Sequence, residues 1–373
     1  WFHTVSVGEF LAALPMIRRR MADETLRLVI TTTTPTGSER VKATLGDSVF
    51  HVYAPYDVPD VLARFFKRVN PSVYLVMETE LWPNTLAACA HRNIPAILVN
   101  GRLSERSARG YARFSALTSP MLNNLHLALI QNQVDAARFV QLGLQESKLR
   151  VTGNIKFDLS LTDELRARAM ELKKQFTAGG ERIIWIAAST DQGEDEIILD
   201  AFAGVRNNPG INAQQLMLIL VPRHPERFEK VGQLCEASGF KTMRRSRGEL
   251  AVDMDILLGD TMGELMLLFG ASDIAFVGGS LVPNGGHNFI EPAAWGLPLL
   301  SGEHLFNFVE VSNLLKAANA LDIAHNPEAL KTILGHLLEN PELRKQKGEN
   351  ALRVAIENRG ALDKTLNLIN SVR

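Results

Sequence analysis

The feature that most constrains the fold is the alternation of short apolar runs with segments of helical periodicity along the whole chain. The runs are rich in Val, Ile and Leu and are continuous, which is typical of strands buried on both faces of a sheet. Helices between successive strands fit right-handed crossovers. We therefore predict an α/β fold with two doubly wound parallel sheets, and we expect ligands at the carboxyl ends of the strands. The predicted strands span residues 2–7, 26–31, 50–53, 73–77, 96–100 and 127–131 in the first half and 183–187, 216–221, 255–258, 274–277 and 297–300 in the second.

Length and charge indicate two domains. The 373 residues are too many for one ordinary core and suit two domains of about 150–200 residues each. Residues 1–150 contain 17 Lys and Arg against 12 Asp and Glu, whereas residues 151–373 contain 23 against 29. We place Rossmann-like domains at residues 1–154 and 155–373, with C-terminal helices that could pack back on the first domain. The basic first domain either meets an anionic partner or reflects drift in composition.

Composition excludes several protein classes. With 46% hydrophobic and 22% charged residues, the chain is neither disordered nor collagen-like nor a coiled coil. Its two cysteines allow no disulfide framework and no cysteine-rich zinc site, which favours a reducing compartment. No apolar run reaches the roughly 18–20 residues of a membrane span. The chain opens at Trp1 inside a strand pattern and without Met, so we expect residues upstream in the full protein, where a membrane anchor could lie.

Carboxylates follow two predicted strands of the first domain. The motif SVGE at residues 6–9 ends the first strand, and Glu9 opens a helix. Glu9 is either a general base at a cleft or a charge that favours the helix N-terminus. Glu78 and Glu80 follow the fourth strand and share a face if that strand continues, although they too could be N-terminal helix charges. The hydroxyl-rich turn at residues 32–38 could bind a phosphate or sugar, or cap a helix.

Polar loops follow two strands of the second domain. Arg223 and His224 end the run 216–221, where they could bind an anionic ligand or form a solvated loop. Glycines at residues 278–279 and 285–286 let the backbone approach a ligand or simply turn. A helix that starts near Asn288 would aim N–H groups at a phosphate. Glu291, one turn later, could accept hydrogen bonds from ribose hydroxyls or be a first-turn charge.

Several functional signatures are absent from the sequence. It has no Gly-x-x-x-x-Gly-Lys-Ser/Thr phosphate loop, no Gly-x-Ser-x-Gly nucleophile elbow, no His-Glu-x-x-His zinc helix and no Gly-x-Gly-x-x-Gly after the first strand. The nine histidines do not cluster with metal-ligand spacing. We therefore predict no metal, no cofactor and no nucleic-acid partner.

Eight segments form a specific set, although each is weak alone, and they extend from the first residues to at least Phe308. They are HTVSVGE, TTTTPTGSERV, METELWPN, VTGNIKFD, LILVPRHPERF, GDTMGELMLL, FVGGSLVPNGGHNFIEPAAWG and FNF. Together they resemble the Kdo transferases (3-deoxy-D-manno-octulosonic acid transferases) of lipopolysaccharide synthesis, in particular those of enterobacterial type.

The resemblance implies a GT-B glycosyltransferase whose two doubly wound Rossmann-like domains face a central cleft. The first domain would bind the acceptor and the second the donor, CMP-Kdo. The enzyme would move Kdo to the 6′-hydroxyl side of the lipid A precursor lipid IVA, at the cytoplasmic face of the bacterial inner membrane. We expect an N-terminal anchor, absent from this chain, to hold it at that surface.

The resemblance also assigns site residues. Glu9 matches the general base of the family. The donor-binding segments carry over as Pro222, Arg223, Met262, Gly263, Glu264, Asn288, Phe289, Ile290 and Glu291. Acceptor-side candidates are Glu78, Glu80, Arg18, Arg19 and Arg20. The three arginines could meet lipid phosphates or the membrane surface, or form a solvated helix end. One departure is Asp191, where the family commonly has His, and we leave it out of the predicted site.

A CMP-activated donor needs only a base for the acceptor and positive charge for the leaving phosphate, and Glu9 and Arg223 with the helix start near Asn288 would supply these. We therefore predict a metal-independent, inverting transfer by direct displacement. The alternatives are a non-catalytic nucleotide-sugar or phospholipid-binding protein and a GT-B-type sugar-nucleotide epimerase. The sequence leaves open the number of Kdo residues added, the preferred acceptor acylation, the oligomeric state and the role of Asp191.

Overall fold

The computed structural model describes residues 1–177, 180–208, 210–212, 215–248 and 253–372. The chain divides into two compact units, Trp1–Asp158 with Asn358–Arg373, and Leu159–Glu357. The first stretch of the first unit therefore ends at Asp158, four residues after the predicted domain boundary at residue 154. Ile155 lies beyond that predicted boundary but is buried in the core of the first unit. The C-terminal segment, assigned by sequence to the second domain, belongs to the first unit. Arg373, the last residue of that predicted domain, lies outside the described residues.

In the first unit, the described residues form one parallel sheet of seven strands in the order β3-β2-β1-β4-β5-β6-β7. The strand order reverses at β1, which lies between β2 and β4. The strands are β1 (Phe2–His3), β2 (Val29–Thr32), β3 (Phe50–Tyr53), β4 (Tyr74–Met77), β5 (Ala96–Gly101), β6 (Leu127–Ile130) and β7 (Leu149–Val151). The helices between them are α1 (Val7–Met21), α2 (Pro35–Leu45), α3 (Pro59–Val69), α4 (Pro83–His91), α5 (Glu105–Ala112), α6 (Ser115–Asn123) and α7 (Gln133–Gln141).

The described part of the second unit also forms a seven-stranded parallel sheet, in the order β10-β11-β9-β8-β12-β13-β14. Its central strand is β8, between β9 and β12. The strands are β8 (Ile183–Thr190), β9 (Leu216–Pro222), β10 (Thr242–Arg244), β11 (Ile256–Leu258), β12 (Ile274–Val277), β13 (Leu299–Ser301) and β14 (Leu321–Ile323). The helices are α8 (Asp163–Thr177), α9 (Asp195–Arg206), α10 (Phe228–Ala237), α11 (Leu265–Gly270), α12 (Ile290–Ala294), α13 (Val309–Ala317), α14 (Pro327–Glu339) and α15 (Pro341–Glu357).

The prediction of two parallel α/β sheets is confirmed, and each predicted run contains a strand. The first strand is shorter than predicted, since it ends at His3 and the chain turns into α1 at Val7. Three strands were missed, β7, β10 and β14, and each has only three residues. They lie at the ends of the two sheet orders, where one side of a strand has no strand partner and a long apolar run is not required.

Burial on both faces explains the continuous apolar runs. Alternate residues of β4 and β5 enter two separate clusters on opposite faces of the first sheet: Leu75, Met77, Ile97 and Val99 on one face, and Tyr74, Val76, Ala96 and Leu98 on the other. Each large apolar side chain removed from water contributes about 1.5–3 kcal/mol. Among the helices that the structure describes, none is both long and apolar enough to span a membrane.

The C-terminal helix α16 (Ala361–Asn370) completes the first unit. Leu362, Leu366 and Ile369 pack into the same cluster as the face of α1. Asp158 fixes the start of this segment, because its two carboxylate oxygens accept the backbone N–H groups of Gly360 at 2.6 Å and Leu362 at 2.7 Å. One side chain therefore joins the end of the first stretch of the unit to the return of the chain.

We expect Asp158→Ala to lower the free energy of unfolding by about 1–2 kcal/mol, because two backbone donors at a helix start lose a charged acceptor. Urea unfolding measures this, with Asp47→Ala as the control, since Asp47 is exposed in the same unit. A loss no larger than that of the control would contradict the assigned role of Asp158.

Candidate active site

The first site lies where the strand order of the first unit reverses. β1 and β4 are adjacent and parallel, with Phe2 opposite Leu75 and His3 opposite Val76. The carboxyl ends of these two strands therefore lie side by side, and the loops that follow them carry Glu9, Glu78 and Glu80. Such a switch point is where open α/β sheets bind ligands.

The carboxylate of Glu9 is held by the turn between β1 and α1. Ser6 is the N-cap of α1, and its Oγ accepts the N–H of Glu9 at 3.4 Å while it lies 3.3 Å from Glu9 Oε1 as a donor. The N–H of Val5 donates to Glu9 Oε2 at 2.8 Å. Ser6 and Glu9 thus pair as in a capping box, except that the glutamate accepts the N–H of Val5, one residue before the N-cap. The position of Glu9 is thus compatible with both a general base and a helix-capping charge. Its electrostatic environment distinguishes the two.

The environment of Glu9 raises its pKa from 4.5 to about 7. Burial is the largest cause, because it penalises the charged form. The hydrogen bond from Val5 opposes this rise, and the negative charges of Glu78 and Glu80 add to it. At neutral pH the carboxyl group therefore exchanges a proton readily, which is the property of an efficient general base. A helix-capping charge alone needs no such shift.

Glu78 and Glu80 do not continue β4. The strand ends at Met77, and Glu78 takes a left-handed φ of 55°, so the predicted two-residue period does not apply to them. Glu78 is buried and forms ion pairs with Lys156 at 2.6 Å and Arg102 at 2.9 Å. Burial and the charge of Glu78 raise the pKa of Glu80. The structure thus brings all three predicted carboxylates into one electrostatic group.

Sequence reasoning missed the cations Lys156 and Arg102. Lys156 belongs to the segment VTGNIKFD, far from Glu78 along the chain, and only the fold brings them together. The hydroxyl-rich turn is a helix cap: Thr34 Oγ1 accepts the N–H of Gly37 at 3.1 Å and donates to the carbonyl of Val5 at 3.1 Å. Thr34 therefore helps to fix the backbone of Val5, whose N–H donates to Glu9.

The arginines at residues 18–20 lie apart from this group. They occupy the last turn of α1, whereas Glu9 lies in the first turn. At 1.5 Å per residue, nine residues separate Glu9 from Arg18 by about 13 Å along the helix axis. Arg19 forms an ion pair with Asp363 of α16. The structure therefore does not bring these arginines to the carboxylates.

The second site lies at the carboxyl ends of the central strands of the second unit. Arg223 follows β9, and its backbone N–H donates to the carbonyl of Thr190 at the end of β8. His287 belongs to the loop after β12, and its Nε2 lies 3.1 Å from Asp191 Oδ2. His224 Nε2 lies 3.9 Å from the other oxygen of Asp191. Three groups that can carry positive charge thus meet at the switch point around β8.

Asp191, which we left out of the predicted site, is a buried member of this group. Although burial opposes ionisation, hydrogen bonds from Asn284 and His287 and the nearby imidazoles lower the pKa of Asp191. Burial, together with the charge of Arg223, lowers the pKa of His287. Burial raises the pKa of Glu291, which accepts a hydrogen bond from Asn288 Nδ2 at 3.0 Å.

The predicted donor-binding residues at 262–264 differ in their exposure to solvent and in their contacts. Met262 is 70% exposed, and Gly263 has a φ of +85° in the turn after β11. Glu264 receives two hydrogen bonds from Arg245, at 2.9 and 3.1 Å, which lower its pKa. The structure gives Glu264 a cationic partner that sequence reasoning did not identify, Arg245.

The helix predicted to start near Asn288 is α12, which begins at Ile290 and has five residues. The N–H of Ile290 is already bonded, because it donates to Asn288 Oδ1 at 3.0 Å. The side chains of Phe289, Ile290 and Pro222 are buried, so they shape the site through packing and do not present polar groups to a ligand.

In the part of the chain that the structure describes, no group of three or more His, Cys, Asp or Glu side chains is arranged to hold a metal ion.

The sequence is similar to that of known transferases. A family model described as 3-deoxy-D-manno-octulosonic-acid transferase (kdotransferase) matches residues 1–159. The 3-deoxy-D-manno-octulosonic acid transferase of Haemophilus influenzae is 45% identical over 372 residues, which cover 99% of this chain and 86% of that protein. The protein of the same name from Bordetella pertussis is 33% identical over 376 residues, with coverage of 99% and 86%.

Solved structures of low sequence identity share the fold. The UDP-GlcNAc 2-epimerase of Neisseria meningitidis superposes with a TM-score of 0.65 at 14% identity, covering 99% of this chain and 98% of that chain. HepE of Anabaena, in complex with UDP, gives a TM-score of 0.64 at 13% identity, covering 100% and 99%. The predicted GT-B fold class, with two parallel-sheet α/β domains, is confirmed.

The relative from Haemophilus influenzae spans nearly the whole chain, and the family model covers the part that carries Glu9. The chain belongs to the family of 3-deoxy-D-manno-octulosonic acid transferases.

Proposed function

We propose that the protein transfers Kdo from CMP-Kdo to a hydroxyl group of lipid IVA, with inversion at the anomeric carbon. The observation that carries this proposal is the carboxylate of Glu9. Its pKa of about 7 suits a general base, and it lies at the switch point of the first sheet in a chain that belongs to the transferase family. Family membership favours a transferase over the two alternatives, an epimerase of the same fold and a non-catalytic binding protein.

The proposed chemistry is a single displacement. The acceptor hydroxyl oxygen attacks the anomeric carbon of Kdo, its proton passes to Glu9, and the bond from that carbon to the phosphate oxygen breaks with release of CMP. Ser6 and Val5 hold the carboxylate in place, which limits the reorganisation needed before proton transfer. Because the attacking and leaving oxygens are on opposite sides of the carbon, one displacement inverts its configuration.

The second unit supplies the charges that the donor needs. CMP-Kdo carries a phosphate and a sugar carboxylate, and Arg223, His224 and His287 surround one end of the predicted donor site. Arg223 is exposed and can pair with the phosphate as negative charge develops on it. Glu291 would accept hydrogen bonds from the ribose hydroxyls. Arg223 provides positive potential without a metal, and the imidazoles of His224 and His287 can donate hydrogen bonds, so we propose metal-independent turnover with no cofactor.

The acceptor side has a more specific charge pattern than the sequence suggested. Glu78 and Glu80 repel phosphates, so we assign them the role of raising the pKa of Glu9. Lys156 and Arg102 neutralise Glu78 and keep this group of carboxylates from excluding an anionic lipid. The arginines at residues 18–20 are too far along α1 to contact the reacting hydroxyl.

We also propose that the protein works at the cytoplasmic face of the inner membrane, where a lipid acceptor resides. Helix α5 has no buried residue, and Arg106, Arg109 and Arg113 are exposed there. The next residues include Phe114, which is 67% exposed, and Leu117, which is 72% exposed. Basic and apolar side chains that are exposed together fit an anionic lipid surface.

The function is tested by incubating the protein with CMP-Kdo and lipid IVA in the presence of EDTA. We expect release of CMP only when the acceptor is present, and a lipid product whose mass has increased by that of Kdo. Release of CMP without acceptor would favour the epimerase or a hydrolase, and binding without release would favour a non-catalytic protein. Activity that EDTA abolishes and Mg²⁺ restores would refute metal independence.

We expect Glu9→Gln to lower kcat by about 10²–10⁴-fold, because the amide cannot accept the proton of the acceptor hydroxyl. Binding of CMP should stay unchanged, and Glu105→Gln, at an exposed glutamate of the same unit, serves as the control. In the wild-type protein, activity should rise with pH through about 7, since the base works as the carboxylate. A Glu9→Gln variant with wild-type turnover would remove Glu9 from the mechanism.

The same substitution should stabilise the protein at high pH. The pKa of Glu9 is raised from 4.5 to about 7, so its contribution to stability is fully present below about 4.5 and is lost as the pH rises through about 7. Gln carries no charge at any pH. Relative to wild type, Glu9→Gln should therefore gain about 1–3 kcal/mol of unfolding free energy between pH 5 and pH 8, as measured by urea unfolding. An equal pH dependence in both proteins would contradict the raised pKa.

For the membrane surface, we expect replacement of Arg106, Arg109 and Arg113 by Gln to weaken binding to vesicles that contain anionic lipid. Each basic residue contributes about 1 kcal/mol near such a surface, so the loss should reach about 10²-fold at low salt and shrink as salt is added. Replacement of the arginines at residues 18–20 by Gln removes the same charge and is the matched control. A larger loss in that control would assign the contact to the end of α1 instead.

A further inference from the structure

We propose that Glu194 is a positioning residue of the donor site, which holds the loop after β12 in its binding conformation without touching the ligand. The inference rests on the proposed function, since it takes this loop as part of the CMP-Kdo site. It concerns a residue that neither the sequence motifs nor the resemblance had assigned.

Glu194 is fully buried, and its carboxylate accepts four backbone N–H groups. Oε1 accepts from Ser280 at 2.9 Å and from Leu281 at 2.8 Å, while Oε2 accepts from Gly279 at 2.6 Å and from Asp191 at 2.8 Å. Three consecutive amides that converge on one anion form a nest of the kind that binds phosphates in other proteins. Here the anion is a side chain of the protein itself.

The two glycines of the loop allow this close approach. A Cβ on Gly278 would lie 2.5 Å from the carbonyl oxygen of Ser189 and 2.8 Å from Glu194 Oε2. Gly279 has a φ of +68°, and a Cβ there would lie 2.7 Å from His287 Nε2. The glycines at residues 278–279 therefore allow the contacts with Glu194 and His287, and the N–H of Gly279 is bonded to Glu194 and is not open to a ligand.

The segment that Glu194 holds in turn holds the rest of the loop. The carbonyl of Gly279 accepts the N–H of Gly286 at 2.7 Å, next to His287. The carbonyl of Ser280 accepts the N–H of His304 at 3.0 Å, and Ser280 Oγ accepts the N–H of Gly302 at 2.9 Å. Loops after β8, β12 and β13 are thus joined through one carboxylate.

In this arrangement, side chains and not the backbone amides of the loop would bind the donor phosphate. With the amides of residues 279–281 bonded to Glu194, the groups left to bind the phosphate are the Arg223 guanidinium and the imidazoles of His224 and His287 as hydrogen-bond donors. The position of His287 depends on the loop, because it follows Gly286 and contacts Asp191, whose own N–H is bonded to Glu194. A displaced loop would therefore move the imidazole away from the phosphate.

The experiment compares Glu194→Gln with Glu196→Gln, an exposed glutamate in the first turn of α9. The Gln side chain sets an NH₂ group against backbone N–H donors, so at least one of the four bonds is lost. We expect CMP binding, measured by calorimetry, to weaken about 10- to 100-fold and the donor KM to rise similarly, while the acceptor KM stays within about twofold. The control should match wild type.

A folded Glu194→Gln variant that binds CMP like the wild type would overturn the proposal and leave Glu194 as a purely stabilising residue. If that variant does not fold, Glu194→Asp keeps the charge but withdraws it by one methylene, and unchanged CMP binding there would have the same meaning. Hydrogen exchange of the wild-type protein gives an independent test, because the amides of residues 279–281 should be protected without CMP. Rapid exchange of these amides would also overturn the role of Glu194. A wild-type protein that does not bind CMP, with these amides protected, would refute the proposed function and not the contact.

Discussion

Both units depend on one physical constraint: parallel strands end together at one edge of a sheet, and the chain must then turn into a helix that covers it. The backbone N–H groups of these turns have no strand or helix partner. In each unit a glutamate accepts some of them. The segments that carry the candidate site residues are therefore fixed by carboxylates, and the role of each carboxylate depends on how it is surrounded.

The two glutamates follow the central strands of their sheets in similar local sequences. SVGE at residues 6–9 forms the N-cap and the first residues of α1, and DQGE at residues 191–194 directly precedes α9. Glu9 accepts one backbone N–H and the hydroxyl of Ser6 and is partly exposed, so it retains lone pairs for a substrate proton. Glu194 accepts four backbone N–H groups and is fully buried. A glutamate that follows the central strand is thus the proposed base in one unit and the proposed positioning residue in the other.

The sequence predicted the features that depend on local pattern. Apolar runs such as 73–77 and 216–221 indicated buried strands because both faces of each sheet are covered, and the resemblance placed Glu9 after the first strand. The sequence did not predict β7, β10 and β14, because a strand of only three residues is too short to show a recognisable apolar pattern. Nor did it predict Lys156 beside Glu78, or Arg245 beside Glu264, because these contacts join residues that are distant along the chain. The sequence predicted a helix start near Asn288, and α12 begins at Ile290, whose backbone N–H donates to the Asn288 side chain.

The group around Glu9 shows why a base needs more than a carboxylate. Burial alone would raise its pKa, but it would also exclude the acceptor, so part of the shift has to come from neighbouring charge. Glu78 and Glu80 supply that charge, and unpaired they would repel one another and the anionic acceptor. Lys156 and Arg102 bind Glu78 directly, which makes the cluster stable enough to form while Glu80 and Glu9 keep raised pKa values. The ion pairs of Glu78 therefore allow several carboxylates to share one partly buried site, which the proposed role of Glu9 as a base requires.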